Sequence, residues 1–348
     1  YSFPTFYSPD EDHGWVLTPG IEGWYRKEGE SYVKINSDGL RDVEHSKQKP
    51  ANTWRIAVIG DSYAEALQVP LENAFWKIAE NRLGQCGALD GKTVEMINFG
   101  VSGYGTAQHL ITLQKKVWDY SPDVVLLAVT TNNDITDNYR PLKGADDVPY
   151  FVFQNGKLVE DNSFRDSAKY RKRDSNLFRS WIWLHNASRL IQLLHHGQET
   201  ARLKISAWKE QRRLAESKKA PENDPAPQNS PPKRVTAQDV GLPNMVYLEP
   251  ADKDWQEAWR VTEGLIAEMR DEVREKGAKF LVAVASIDVQ AHPNREFRQN
   301  FMKRLGVENL FYPNRRLQDF AARERIAFVD LAEPMQTFAG QNNVYLHG

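Results

Sequence analysis

Residues 56–59 read Ile-Ala-Val-Ile, a short apolar run rich in β-branched side chains, and it breaks off at Gly60-Asp61-Ser62. A run this short, bounded by a turn, predicts a strand buried on both faces. Ala64-Glu65-Ala66-Leu67 then begins a helical segment. A strand that passes through a tight turn into a helix is the repeating unit of an α/β fold. The carboxyl ends of parallel strands are where such folds bind ligands. Ser62 is therefore expected at the rim of the sheet, close to the amino end of the next helix, whose N–H groups stabilise developing negative charge. The competing reading makes Asp61 or Ser62 only the cap of that helix.

Two further blocks repeat the pattern. Met96-Ile97-Asn98-Phe99 leads into Gly100-Val101-Ser102-Gly103-Tyr104-Gly105, where alternate glycines free backbone N–H groups to point into a site. Asp123-Val124-Val125-Leu126-Leu127-Ala128-Val129 is apolar enough for mid-sheet, and Thr130-Thr131-Asn132-Asn133-Asp134 follows it. An asparagine there can offer a side-chain N–H to the point in space served by Ser62 and Gly103. Alone, it would be read as a turn former.

With these blocks the chain resembles the SGNH/GDSL hydrolase superfamily, serine esterases and acyltransferases named for a serine, glycine, asparagine and histidine in separate blocks. The match runs block by block over residues 53–135 and more loosely to about residue 335. The resemblance implies that Ser62 is the nucleophile and that Gly103 supplies a backbone N–H to the oxyanion hole. It assigns Asn133 the side-chain donor, with the Ser62 N–H as a third. One departure is visible, because Asn132 stands where the family has a glycine. The fold implied is a three-layer α/β/α, flavodoxin-like arrangement with a parallel central sheet and a helical and loop insertion.

The family's Asp-x-x-His block, which carries the general base, is expected after the last strand, Ile326-Ala327-Phe328-Val329-Asp330. His347 is preceded three residues earlier by Val344 rather than by an aspartate. The expectation is that the sequence is cut short at both ends, with the base beyond Gly348; the alternative is that His347 itself serves. The first measurement that follows is to read the source gene past the Gly348 codon.

Composition narrows the remaining classes. The 348 residues can bury one sizeable core with a second small element. With 45 basic and 47 acidic residues, net charge −2, nothing points to a nucleic-acid partner. Runs such as Arg171-Lys172-Arg173 and Lys218-Lys219 read as solvated faces. Cys86 is the sole cysteine, so neither a disulfide framework nor a zinc spacing is present. Of His185, His195, His196 and His292, His195 and His196 are adjacent on a helix and diverge, and His292 lacks neighbouring Asp, Glu or Cys ligands, so no metal is expected. No phosphate or dinucleotide glycine fingerprint occurs, and no cofactor is expected. No run reaches the ~20 apolar residues of a membrane span. The resemblance implies a periplasmic or extracellular location, with a membrane anchor or export signal upstream of Tyr1.

Along the chain, residues 1–50 form a turn-rich, aromatic lead-in expected to wrap the sheet, with Tyr32–Asn36 as a half-exposed strand. Its tryptophans either pack on the sheet or line a carbohydrate cleft. Residues 51–348 are expected to form the hydrolase-like domain, with 138–250 as an insertion, either a cap over the site or an arm for a partner. Within it, Asn155-Gly156 predicts a hairpin. Residues 175–217 predict long helix with a break near His195-His196-Gly197, and Lys219–Val235 a mobile loop. The alternation then resumes with a helix over Asp254–Lys276, a strand over Lys279–Ala285, helices over Arg295–Leu305 and Asn314–Arg323, and the last strand.

The function expected is serine-dependent hydrolysis of a small acyl or carbohydrate ester through an acyl-enzyme. Two alternatives are a polysaccharide O-acetyltransferase and a non-catalytic carbohydrate-binding module on a degenerate hydrolase fold. The partner expected is a small-molecule or carbohydrate ester substrate.

Overall fold

The computed structural model describes residues 4–87, 89, 91–217 and 235–342. Eleven strands occur among them: β1 (Tyr7–Asp10), β2 (Gly14–Leu17), β3 (Glu22–Tyr25), β4 (Ser31–Lys34), β5 (Thr53–Ile59), β6 (Thr93–Asn98), β7 (Val124–Thr130), β8 (Tyr150–Gln154), β9 (Lys157–Asp161), β10 (Lys279–Ala285) and β11 (Ala327–Asp330). Five of them make the central sheet in the order β11-β10-β7-β5-β6, every pair parallel. Counting only these strands along the chain, the order is the flavodoxin-like 2-1-3-4-5. The chain reverses direction across the sheet between β5 and β7, so a crevice opens at their carboxyl ends.

Period-2 alternation divides the sheet's side chains between two layers. Ala57, Ile59, Val125, Leu127, Val129, Val282 and Val284 face the helices Thr106–Lys115, Lys253–Glu275 and Tyr312–Glu324 in the main core. Ile56, Val58, Val94, Met96 and Val124 face the other way, onto Trp76 of the helix Phe75–Gln85. Towards β11 this second face opens, with Leu281 half-buried and Val329 exposed.

The amino-terminal segment forms two antiparallel pairs, β1 with β2 and β3 with β4. In β4, Ser31 and Val33 are buried while Tyr32 and Lys34 are exposed. Phe6, Leu17, Val33 and Ile35 pack on Leu67, Val101 and Tyr104, which lie in or beside the turns after β5 and β6. The segment therefore sits on the rim that carries Ser62.

Between β7 and β10 come the β8–β9 hairpin, turning at Asn155-Gly156, and a helical arm. The arm consists of helices Ala168–Asp174, Asn176–Ala187 and Arg189–Ser217. Its breaks fall at Ser175 and Ser188, not at His195-His196-Gly197. The reason is capping: the Ser175 hydroxyl accepts from Phe178 N at 3.3 Å and the Ser188 hydroxyl from Ile191 N at 3.4 Å. A single glycine inside a helix costs only about 1 kcal/mol relative to alanine, so Gly197 is carried through. The loop expected over Lys219–Val235 lies, up to residue 234, outside the described residues.

Candidate active site

Ser62 opens a helix of a single turn, Ser62–Glu65, which ends where Ala66 takes up left-handed backbone angles. The longer helix expected from Ala64 onward does not form, so a macrodipole adds little here and discrete donors matter instead. The turn is held at its far end: the Ala64 carbonyl accepts from Asn98 Nδ2 and from Trp76 Nε1, both at 3.0 Å. It also lies against Gly100, where an added Cβ would stand 2.6 Å from the Ala64 Cβ and 2.7 Å from the Glu65 nitrogen. The glycine is required by this close approach of two strand-end turns.

Asp61 does cap the turn, accepting from Tyr63 N at 3.0 Å, and it does more. Its other oxygen, Oδ2, accepts from Asn133 Nδ2 at 2.8 Å, while Thr130 Oγ1 donates to the capping oxygen, Oδ1, at 3.2 Å. The capping and functional readings of this block thus coexist: one carboxylate ties the serine turn to the asparagine turn. Burial holds the Asp61 carboxyl above its usual range, against the bonds from Asn133, Tyr63 and Thr130. An amide NH2 carries two N–H donors, so Asn133 keeps one that is not spent on Asp61.

Gly103 has φ +79°, and a Cβ there would lie 3.1 Å from Cζ2 of Trp15. Trp15 Nε1 donates to the Ser102 carbonyl at 3.2 Å, and Lys143 Nζ donates to the Gly103 carbonyl at 3.1 Å. In a trans peptide the carbonyl and the N–H point in opposite directions. Anchoring the Ser102 carbonyl on Trp15 therefore fixes the direction of the Gly103 N–H.

Ser62, Gly103 and Asn133 line one cleft of about 650 Å³, together with Tyr7, Trp15, Tyr25, Lys27, Glu28, Arg173, Phe178 and Ile182. Ser62 and Asn133 also border an adjoining cavity with Tyr63, Gln68 and Phe75. Three of the four site residues read from the sequence thus meet in one place, and the fourth, His347, lies outside the described residues. Among the described residues, no histidine lines either cavity. His109 is fully buried 4.0 Å from Asp134, and burial pushes its imidazole down to about 3. His185 stacks on Trp181 in the arm, His195 meets the same ring edge-on, and His292 stacks on Phe297.

Sequence reasoning missed the cluster behind the cleft. Glu65 is fully buried, accepting from Tyr7 Oη at 2.9 Å and from the Ser102 hydroxyl. Burial pushes its carboxyl up to about 7, opposed by those two bonds and by the charge of Arg41. Nothing in the local pattern marks a glutamate three residues after Ser62 as buried. Trp15 was legible only as one of several aromatic residues in the lead-in.

No family model matches the chain, and no curated protein matches it. Among solved structures it is similar to a catalytic mutant of Axe2, an acetylxylan esterase from Geobacillus stearothermophilus, at 11% identity and TM-score 0.35, covering 84% of this chain and 81% of that one. It is similar to TesA at 14% identity and TM-score 0.31, covering 79% and 76%. A GDSL-like lipase from Bacteroides thetaiotaomicron follows at 11% and 0.30, covering 80% and 69%. Likeness this distant assigns no residue a role.

Proposed function

We propose that the protein is a serine-dependent ester hydrolase of the SGNH/GDSL type, acting on a small acyl ester of a polar alcohol such as a sugar. The observation that carries the reading is the meeting of Ser62, Gly103 and Asn133, from the ends of three different strands, in one cleft at the switch point of the sheet. Ser62 Oγ attacks the ester carbonyl carbon while its proton passes to a histidine acting as general base. The oxyanion is met by the N–H groups of Ser62 and Gly103 and by the second N–H of Asn133. Such a donor is typically worth about 3–4 kcal/mol in the transition state. Collapse of the tetrahedral intermediate expels the alcohol, which takes up the proton. Water then releases the acid from the acyl-enzyme, or a sugar hydroxyl takes the acyl group in the O-acetyltransferase variant of the same chemistry. Tyr7, Trp15 and Tyr25 give the cleft aromatic walls, and Lys27, Glu28 and Arg173 give it charge, a mixture suited to a carbohydrate alcohol.

The test is turnover of p-nitrophenyl acetate and labelling by a fluorophosphonate probe in the full-length protein. Both are expected in the wild type, with the label on Ser62, and both are expected to vanish in Ser62→Ala at unchanged melting temperature. Equal turnover by the variant would overturn the assignment of Ser62. The departure from the family's Asp-x-x-His block, with Val344 three residues before His347, favours one second reading, a non-catalytic carbohydrate-binding module. That reading gains if the wild type neither turns over nor labels while an acetylated oligosaccharide still binds calorimetrically.

A further inference from the structure

We propose that the outer face of the helical arm, residues 176–209, docks onto an anionic phospholipid surface. The arm exposes more large apolar side chains than any other part of the described molecule. On Asn176–Ala187 these are Leu177, Trp181, Trp183 and Leu184; Leu177 is 83% exposed and Trp183 71%. On Arg189–Ser217 they include Leu190 at 65%, Leu194 at 62%, Ile205 and Trp208. Leu190, Leu194, Ala201, Ile205 and Trp208 follow at i, i+4, i+11, i+15 and i+18, which places them on one stripe of a 3.6-residue helix. The stripe is not a surplus of the core: Phe178 and Ile182 of the neighbouring helix face inward and line the Ser62 cleft, while Leu177 and Leu184 face out. The arm is anchored to the body on that inner side, where Thr5 N donates to Asn186 Oδ1 at 2.8 Å and Asn186 Nδ2 donates to the Thr5 carbonyl at 3.1 Å.

Charge selects the occupant. Residues 176–209 carry five Arg and Lys against one Glu, in a chain whose whole balance is 45 against 47. Arg202, Lys204 and Lys209 are exposed within the same stretch as the stripe. Apolar residues that include tryptophan, with Lys and Arg around them, are the composition of a helix that lies in the plane of an anionic bilayer surface. Tryptophan suits the headgroup boundary because its ring is apolar and its N–H polar. No described helix is long and apolar enough to cross a membrane, so the geometry is that of a helix lying on the surface. A second copy of the chain meeting stripe to stripe would bring the two cationic segments together, which like charges oppose.

The experiment is flotation of the full chain with large unilamellar vesicles of equal phosphatidylglycerol and phosphatidylcholine, and with phosphatidylcholine alone, at low and high salt. Sedimentation velocity without vesicles runs alongside. Partition onto the anionic vesicles is expected, weakened by salt, while the free protein sediments as a monomer. Leu190→Glu with Leu194→Glu is expected to lower the partition constant by about tenfold or more. Trp183→Ser, on the adjoining helix, is expected to lower it less. All three positions used are exposed, and circular dichroism is expected to show unchanged helix content. Failure to float with anionic vesicles overturns the proposal, as does undiminished binding by the double variant. A dimer dissolved by Leu190→Glu with Leu194→Glu, without vesicle binding, overturns it in favour of an interface between copies. None of these readouts depends on Ser62.

Discussion

Trp15 reaches the candidate site from the lead-in and holds the carbonyl on one side of the Ser102–Gly103 peptide, so that the N–H on the other side is aimed without flexing. Trp15→Phe keeps a ring over Gly103 and removes the donor. The expected result is a kcat about tenfold lower with KM little changed, the size of one modest hydrogen bond lost from an aligned transition state. A raised KM at unchanged kcat would make Trp15 a wall of the substrate cleft instead. Glu65, behind the same peptide, gives a pH signature. Its ordinary value is 4.5 and its folded value about 7, burial being the main cause. Across that window the folded protein holds a proton that the unfolded chain has released, so this group lowers stability as pH rises from about 4.5 to 7 and adds nothing further beyond. Glu65→Gln is therefore expected to be more stable than the wild type at pH 8, by up to about 3 kcal/mol in urea unfolding. The gap should close towards pH 4, and a gap that ignored pH would refute the buried, proton-holding glutamate.

The element that organises the main core is the helix Lys253–Glu275. Trp255, Ala258, Trp259, Thr262, Leu265, Ile266, Met269 and Val273 recur on its buried face, and it packs across the helix Thr106–Lys115 and onto β10. Asp252 caps it, accepting from Trp255 N at 2.9 Å. Asp252→Ala should cost about 1 kcal/mol. In a molecule of this size that is roughly a 2 °C fall in melting temperature, readable by calorimetry. A much larger loss would mean that the helix start is strained once uncapped. The arm obeys the same rule, since serine hydroxyls at residues 175 and 188 decide where it bends.

Over the whole molecule, one buried arginine joins the lead-in to the sheet. Arg55 in β5 is fully buried; its Nε donates to Glu95 Oε2 at 2.6 Å, its Nη1 to the Tyr120 carbonyl at 2.6 Å, and its Nη2 to the Ser46 carbonyl at 2.7 Å. His45 completes the cluster, 2.6 Å from Glu95 and 3.1 Å from Asp42. Burial would lower its imidazole, but the bonds to those two carboxylates outweigh it and hold it above its usual range. Removing one partner of a buried charged cluster leaves the others unpaired, so Arg55→Ala is expected to cost about 3–5 kcal/mol. Limited proteolysis should then cut first within residues 1–50. Cleavage first within the central sheet would show that the lead-in is held by other contacts.

The strands around Ser62, Gly103 and Asn133 could be read from the sequence because their signals are local: unbroken β-branched runs, and glycine, aspartate or asparagine where each run stops. The same holds for the Asn155-Gly156 hairpin and for the strand Lys279–Ala285, whose limits match the reading. What the tertiary structure alone decided is which of these pieces touch. Asp61 binds Asn133 across 72 residues, Trp15 binds Ser102 across 87, and Glu65 binds Ser102 across 37. No local propensity encodes such contacts, because they follow from strand order and from which face of the rim the lead-in covers. The arm bends away from its glycine for the opposite reason: its two serine caps form bonds that exist only once the helices are formed.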